Sequence, residues 1–413
     1  MKAFGKILGL VLLGLLLIIV ALGFALTHLF DPNDYKDEIR QIARDKAHIE
    51  LTLNGDIGWS LFPWLGLELH DASVATLVKP TEPFADLQML GLSVRVLPLL
   101  RREVQMSDVR VEGLNLRLTR DKDGHGNWQD VGKVPAPATA AATPATPGET
   151  APQTTVQVEK PAQPVRLDID SLTVNNARVE YNDEQTGKQF SAESIQLSTG
   201  PVHDSTNIPV KLTAFLGTNQ PVLRVRTELN GELRFERALQ RYKFEDMKLS
   251  GEVAGDPLQG KTMTFAAQGQ LLLDKAANVA EWTGIKVSAN QLRALGELKV
   301  NDLDKTPQIS GGISIAQFDL AKFVDSIGQK LPAMAEGSLS KVELVSRVAA
   351  TPTSVSFDNI NLKIDDSTFS GRIAVEDFAK QSLRAVLKAD TFNVDRYLPP
   401  KSAEANSATQ VRQ

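Results

Sequence analysis

The sequence contains no cysteine. That excludes disulfide staples and every thiolate-based zinc or iron–sulfur site. Histidine is scarce, and His28, His48, His70, His125 and His203 are scattered, with no HExxH and no metal-ligand spacing. No G-x-S-x-G nucleophile elbow occurs. Positive charge is not in excess: 45 Lys and Arg stand against 50 Asp and Glu, a net charge of -5. A chain without a basic field has little with which to neutralise phosphates, so nucleic acid is not an expected partner. Carboxylates cluster at Asp168/Asp170, Asp302/Asp304 and Asp365/Asp366, where acidic turn residues are ordinary. These absences lead us to expect a protein that is not an enzyme, with no catalytic residues, no cofactor and no metal.

One long hydrophobic run is present. Ile7 to Phe30 carries no charge except at His28. As a helix it spans roughly 36 Å, more than the ~30 Å hydrocarbon core of a bilayer. The rival reading is a cleaved signal, but signal cores are shorter, about 7–15 residues. We expect a retained anchor. Lys2 and Lys6 precede it, and Lys36, Arg40, Arg44 and Lys46 follow, so flanking charge does not orient it. Long domains translocate largely regardless of such charge. The N-terminus is therefore expected in the cytoplasm and the body exported.

Asp31-Pro-Asn-Asp34 stops the first helix and starts a second, with Asp31 as cap and Pro32 in the first turn. Helical spacing of Tyr35, Ile39 and Ile42 continues to about His48. From Ile49 the period becomes two, as in Ile49–Leu53, Leu65–Leu69 and Leu92–Val96. Val109 to Leu118 alternates with a phase shift at Gly113, which predicts a bulge within one strand. Residues 132–164 are a Pro/Ala/Thr tract with too few large apolar residues to offset ordering entropy, and are expected to form a linker or insertion. Alternation resumes at Val165 and runs to about Tyr397, longest over Leu223–Phe235. Gly296–Lys305 echoes Gly371–Lys380, and Phe318–Phe323 echoes Phe392–Tyr397, which suggests repeated strand units. The expected organisation is an anchor (1–30), a first β segment opened by the short helix (31–131), the tract, a second β segment (165–400) and a polar tail (401–413).

Gly255-Asp-Pro-Leu-Gln-Gly-Lys-Thr262 satisfies the P-loop pattern. A phosphate cradle requires a helix to follow it, whereas both flanks alternate as strands. The match is read as a hairpin loop. Trp59, Phe62 and Trp64 gather soon after the anchor. They admit two readings, a membrane-interface cluster or a plug closing the end of the first sheet. Leu65, Leu67, Leu69, Leu114, Leu116 and Leu118 are the candidate residues for lining an apolar groove.

Several phrases together resemble the AsmA family of bacterial envelope proteins. They are the anchor, Asp31–Tyr35, Leu51–Ile57, Trp59–Leu67, Val94–Leu100, Val109–Leu116, Gly126-Asn-Trp128 and the exit Phe392–Pro400. The likeness is dense over 1–130 and looser over 165–400. It implies an inner-membrane anchor, a periplasmic body, and an elongated, curved antiparallel sheet forming an apolar groove like that of bridge-type lipid transfer proteins. It also implies a part in outer-membrane biogenesis through phospholipid movement, with the bilayer and acyl chains as partners and no catalytic residues to carry over. Family members continue into a second β half and a C-terminal helix, so the likeness implies a short version or a part of that architecture. On alternation alone, an open groove and a closed sandwich core are equally admissible. Roughly twenty strands at ~4.8 Å would give about 100 Å of groove. A second class of function fits the same pattern: a scaffold or chaperone that helps outer-membrane proteins assemble by offering its sheet edge or concave face to polypeptide.

Overall fold

The computed structural model describes residues 31–60, 65–94, 106–133 and 169–399. They form nineteen strands and a few short helices. The chain is thus mainly β, as its period-two alternation predicts. The chain divides into two compact units, residues 1–170 and 171–413. The predicted anchor, Phe62, Trp64, residues 134–164 of the Pro/Ala/Thr tract and the polar tail (401–413) lie outside the described residues. Among the described residues, no helix is long and apolar enough to cross a membrane.

The first unit opens as the sequence predicts. The Asp31 carboxylate accepts from the Asn33 amide, and Pro32–Tyr35 forms a 3-10 turn that leads into α1 (Lys36–Ile42). A single π turn, Ala43–Ala47, follows and ends at His48 in the left-handed region. The helix is held at both ends. The Asn33 carboxamide donates to the Ile57 carbonyl at 3.1 Å and accepts from the Ile57 amide at 2.9 Å. Arg44 grips Glu50 at 2.7 Å. Ile39 packs on a small core of Leu53, Ile57 and Ala72.

Six strands make up this unit's sheet. They are β1 (Ile49–Leu53), β2 (Ile57–Ser60), β3 (Leu65–Thr76), β4 (Ala85–Val94), β5 (Met106–Glu112) and β6 (Asn115–Arg120). Long β3 pairs antiparallel with β2 along its first half and β1 along its second, and with β4. β4 pairs in turn with β5 and β6. The expected bulge at Gly113 is instead a break. Gly113 has φ +60, β5 stops at Glu112, and β6 starts at Asn115. Both strands nevertheless keep one register along β4, with Met89 opposite Glu112 and Asp86 opposite Asn115, so the chain runs straight on with Gly113 and Leu114 unpaired and no residue inserted.

The second unit is a thirteen-stranded antiparallel meander. Its first seven strands are β7 (Ser171–Asp183), β8 (Lys188–Thr199), β9 (Ile208–Asn219), β10 (Val222–Glu236), β11 (Arg241–Gly255), β12 (Thr262–Asp274) and β13 (Val279–Ala289). β14 (Leu292–Asn301), β15 (Gln308–Phe318), β16 (Val342–Thr351), β17 (Ser354–Ile364), β18 (Ser367–Asp377) and β19 (Ser382–Ala389) complete it. Each strand pairs with its sequence neighbour. Short hairpins leave no choice but antiparallel neighbours. The one long connection, between β15 and β16, carries α2 (Leu320–Ser326), capped by Asp319.

The sequence echo is a structural one. Gly296 of β14 and Gly371 of β18 each lie mid-strand opposite apolar residues, Ile313 and Leu387. The two exit phrases each bring their terminal rings together. Phe318 meets Phe323 edge-on at 5.9 Å, and Phe392 stacks on Tyr397 at 5.2 Å.

Candidate functional site

Alternation gives the strands of the second unit one mainly apolar and one mainly polar face, with Phe215, Leu295 and Val345 exposed on the polar side. On β10, Leu223, Val225, Leu229, Leu233 and Phe235 share one face, and Arg224, Arg226, Glu228, Glu232 and Arg234 share the other. Register decides whether neighbouring strands agree, since a slip of one residue would reverse a strand. They agree throughout. Val174, Leu197 and Leu212 stand in line on β7, β8 and β9. Leu229, Leu249 and Ala267 continue the line on β10 to β12. Val287, Ala294 and Ile315 carry it over β13 to β15. Leu344, Leu362, Phe369 and Ala389 bring it to β19. Every strand of this unit contributes an apolar residue to one unbroken row, about 58 Å long at ~4.8 Å per strand.

A second row runs parallel to it. Leu233, Phe244 and Leu271 face one another on β10 to β12. Trp282, Leu298 and Gly311 follow on β13 to β15. Val348, Phe357, Ile373 and Ala385 finish it on β16 to β19.

Between the two rows runs a crease. Ladder register shifts there at Asn230/Glu232, Phe244/Met247, Gln268/Gln270, Trp282/Ile285, Val345/Arg347 and Phe357/Ile360. Bulged strands bend, and bulges stacked on successive strands bend the sheet along a line. Left-handed backbone recurs on that line at Asp246, Gly269, Gly284, Asn359 and Gly371. Gly269 and Gly371 show why glycine is required. Their φ values are +147 and +149, and a Cβ on Gly371 would strike the Val386 carbonyl of β19. On Gly269 it would strike the Trp282 indole, which lies over that glycine.

The large side chains of this face are not sealed. A sandwich core interdigitates two inner faces and buries them. Here Leu229, Leu249, Leu298, Leu344 and Leu362 all stay half-buried, and half of the unit's buried apolar residues are alanines. The apolar face therefore has no second layer packed tightly on it among the described residues.

The opposite face is a solvated ionic skin. Lys211 pairs with Glu228 at 3.8 Å, Lys299 with Glu281 at 2.9 Å and Lys363 with Glu343 at 3.5 Å, each across adjacent strands. Exposed pairs of this kind contribute at most about 1 kcal/mol each. A recess of about 1080 Å³ lies between β7 and β12. Its lining mixes Arg178, Arg224 and Glu252 with Tyr181, Leu216 and Val225. That recess is bounded by residues of both faces and spans only part of the sheet, so the continuous apolar rows define the candidate site.

The residues singled out from sequence lie in the first unit. Leu67 and Leu69, in β3, pack against the small core under α1. Leu116 and Leu118 lie half-buried in β6, and Leu114 just precedes it. Leu65 opens β3, its side chain outside the described part, and Trp59 lies in β2. The P-loop-like segment is the β11–β12 connection, a 3-10 turn over Asp256–Leu258 followed directly by a strand. The long rows of the second unit were missed as a site. Their signal was the mid-strand phase change, as between Tyr242/Phe244 and Met247/Leu249. Among the described residues, no group of three or more His, Cys, Asp or Glu is placed to hold a metal.

A mainly β chain whose long sheet carries one largely apolar face is the class this fold defines. The chain belongs to the AsmA family, whose model matches residues 1–413. A curated relative is Protein AsmA of Escherichia coli strain K12, 29% identical over 105 residues. That stretch is 25% of this chain and 17% of the relative, so the match spans a minor part of that protein's length. No solved structure matches the chain.

Proposed function

We propose that this protein is a non-enzymatic component of the bacterial envelope that carries phospholipid along the apolar face of its second unit. Residues 7–30 would anchor it in the inner membrane, with the N-terminus in the cytoplasm and the β body in the periplasm. In this reading it serves outer-membrane biogenesis by giving acyl chains a path across the aqueous space between the membranes. The single observation that supports it is the unbroken register row from Val174 to Ala389, with large side chains left half-buried.

The energetics favour a track over free diffusion. Apolar surface costs about 0.8 kcal/mol per CH₂ to expose. A lipid with some thirty methylenes therefore faces roughly 24 kcal/mol in water. On a continuous apolar row, one strand's Leu or Val is exchanged for the next at nearly constant burial. The two rows flanking the crease would hold the chains, and the headgroup would stay wet above them. The first unit's candidates, Leu65, Leu67, Leu69, Leu114, Leu116 and Leu118, would belong to the approach from the membrane, together with Trp59, Phe62 and Trp64.

Extraction of the full chain in mild detergent, followed by lipid mass spectrometry, tests this. We expect co-purifying phospholipid. A chain that carries none, and acquires none from labelled vesicles, would remove the basis for the proposal.

A further inference from the structure

We infer that the outer edge of β19 is a docking site for an extended strand of another polypeptide, one that alternates apolar side chains with carboxylates. β19 pairs with β18 on one side and, among the described residues, with no strand on the other. Leu383 is 68% exposed, Val386 59% and Leu387 41%. Natural edge strands are normally blunted by charged side chains, proline, a bulge or a covering element. β19 carries Arg384 and Lys388, and its register with β18 shifts once, between Val375 and Asp377, but it has no proline between Ser382 and Ala389 and runs on in register from Leu383 to Ala389. Its apolar-face positions, Leu383, Ala385, Leu387 and Ala389, carry no charge.

The chain itself turns away from this edge. The Asp390 amide donates to the Thr368 carbonyl at 3.1 Å, and the Asp390 carboxylate accepts from the Thr368 amide at 2.8 Å. Phe392 then packs on Phe369 of β18 at 5.2 Å. The Arg396 carbonyl accepts from the Ala335 amide at 3.0 Å. Residues 390–397 thus run back past β18, and no described residue pairs with the outer edge of β19.

Charge selects the occupant. The polar side of β19 presents Arg384 and Lys388. Arg384 is paired to Glu376 at 3.3 Å from the β18 side, yet its side chain stays 66% exposed. Lys388 has no ion pair among the described residues. Opposite charges across a ladder stabilise and like charges destabilise. A second copy of this chain would bring the same two cations to the junction, whereas a strand with carboxylates would neutralise them. Its apolar residues would fall beside Leu383, Ala385 and Leu387 and lengthen the apolar rows by one strand.

Hydrogen–deuterium exchange on the full chain in detergent tests this with two synthetic peptides the length of β19. One alternates leucine and valine with glutamate, and the other carries lysine in place of glutamate. The glutamate peptide should slow exchange across Ser382–Ala389 about tenfold more than the lysine peptide. Arg384→Glu with Lys388→Glu should reverse the preference. Equal protection by both peptides, protection by neither, or a β19 edge already protected in the free chain would each overturn the inference. The readout is strand pairing and needs no lipid, so its failure is distinguishable from failure of the lipid reading.

Discussion

Leu249 of β11 stands directly opposite Leu229 of β10, and both keep part of their surface exposed. The same apolar pairing recurs strand after strand across the meander. Replacing Leu249 with aspartate sets a charge in the middle of the row. Because the site is only half-buried, the chain should still fold, with an unchanged circular dichroism spectrum. Phospholipid binding should fall at least several-fold. Lys248→Asp, one residue away on the polar face, should leave lipid binding intact. Equal effects of the two changes would argue that face does not matter.

The crease depends on Gly371. At φ +149 an L side chain is strained, and its Cβ would collide with β19. Gly371→Val should cost about 2 kcal/mol or more. It should also raise the exchange rates of β18 and β19 amides above those of β10 and β11. A variant as stable as the parent would mean the crease is not held by backbone geometry.

Asp365 ties three segments together. Its side chain is 3% exposed. It accepts from the Leu339 amide at 2.9 Å, the Lys341 amide at 3.2 Å and the Tyr397 hydroxyl at 2.8 Å. Burial pushes its carboxyl up, but Tyr397, the two amides and the Arg396 guanidinium outweigh burial and hold it below the ordinary value. A lowered pKa means stability that is present above the unfolded-chain value of about 3.9 and lost as pH falls through the folded value. Asp365→Asn should therefore accelerate proteolysis near residues 335–341 and 390–397 at neutral pH. The difference from the parent should shrink below about pH 4. A gap that persists undiminished in acid would contradict this.

Asn33 clamps the short helix to the sheet through two hydrogen bonds with Ile57. Asn33→Ala removes both and should cost about 1–2 kcal/mol. Asn33→Asp keeps an acceptor for the Ile57 amide but sets a carboxylate against the Ile57 carbonyl. It should be at least as harmful. Thermal unfolding of the three chains ranks them, and an aspartate variant matching the parent would show that the clamp is unimportant.

The strands of the second unit were legible because alternation survives wherever one face is apolar and the other wet. Leu223–Phe235 needs no neighbour to be read. The capped turn at Asp31 and the hairpin at Gly255–Thr262 were equally local. What the sequence does not display is register. Leu density drew attention to Leu65–Leu69 and Leu114–Leu118, whereas the long rows include Ala267, Ala294 and Gly311, which no local pattern marks out. Their alignment depends on hairpin lengths and on one inserted residue per bulge, quantities that act between strands. At Gly113 the same local signal was compatible with a bulge or an interruption, and the unchanged register of β5 and β6 along β4 identifies an interruption with no residue inserted.

Site-specific photocrosslinking to phospholipid tests the central claim most directly. A photoreactive residue is placed in turn at Leu212, Leu249, Leu344 and Leu362 on the apolar row, and at Arg226, Lys248 and Lys363 on the polar face, in cells making the full chain. Lipid adducts at all four apolar positions and at none of the polar ones are the predicted result. Adducts on both faces alike, or on neither, would contradict a hydrocarbon track on this sheet.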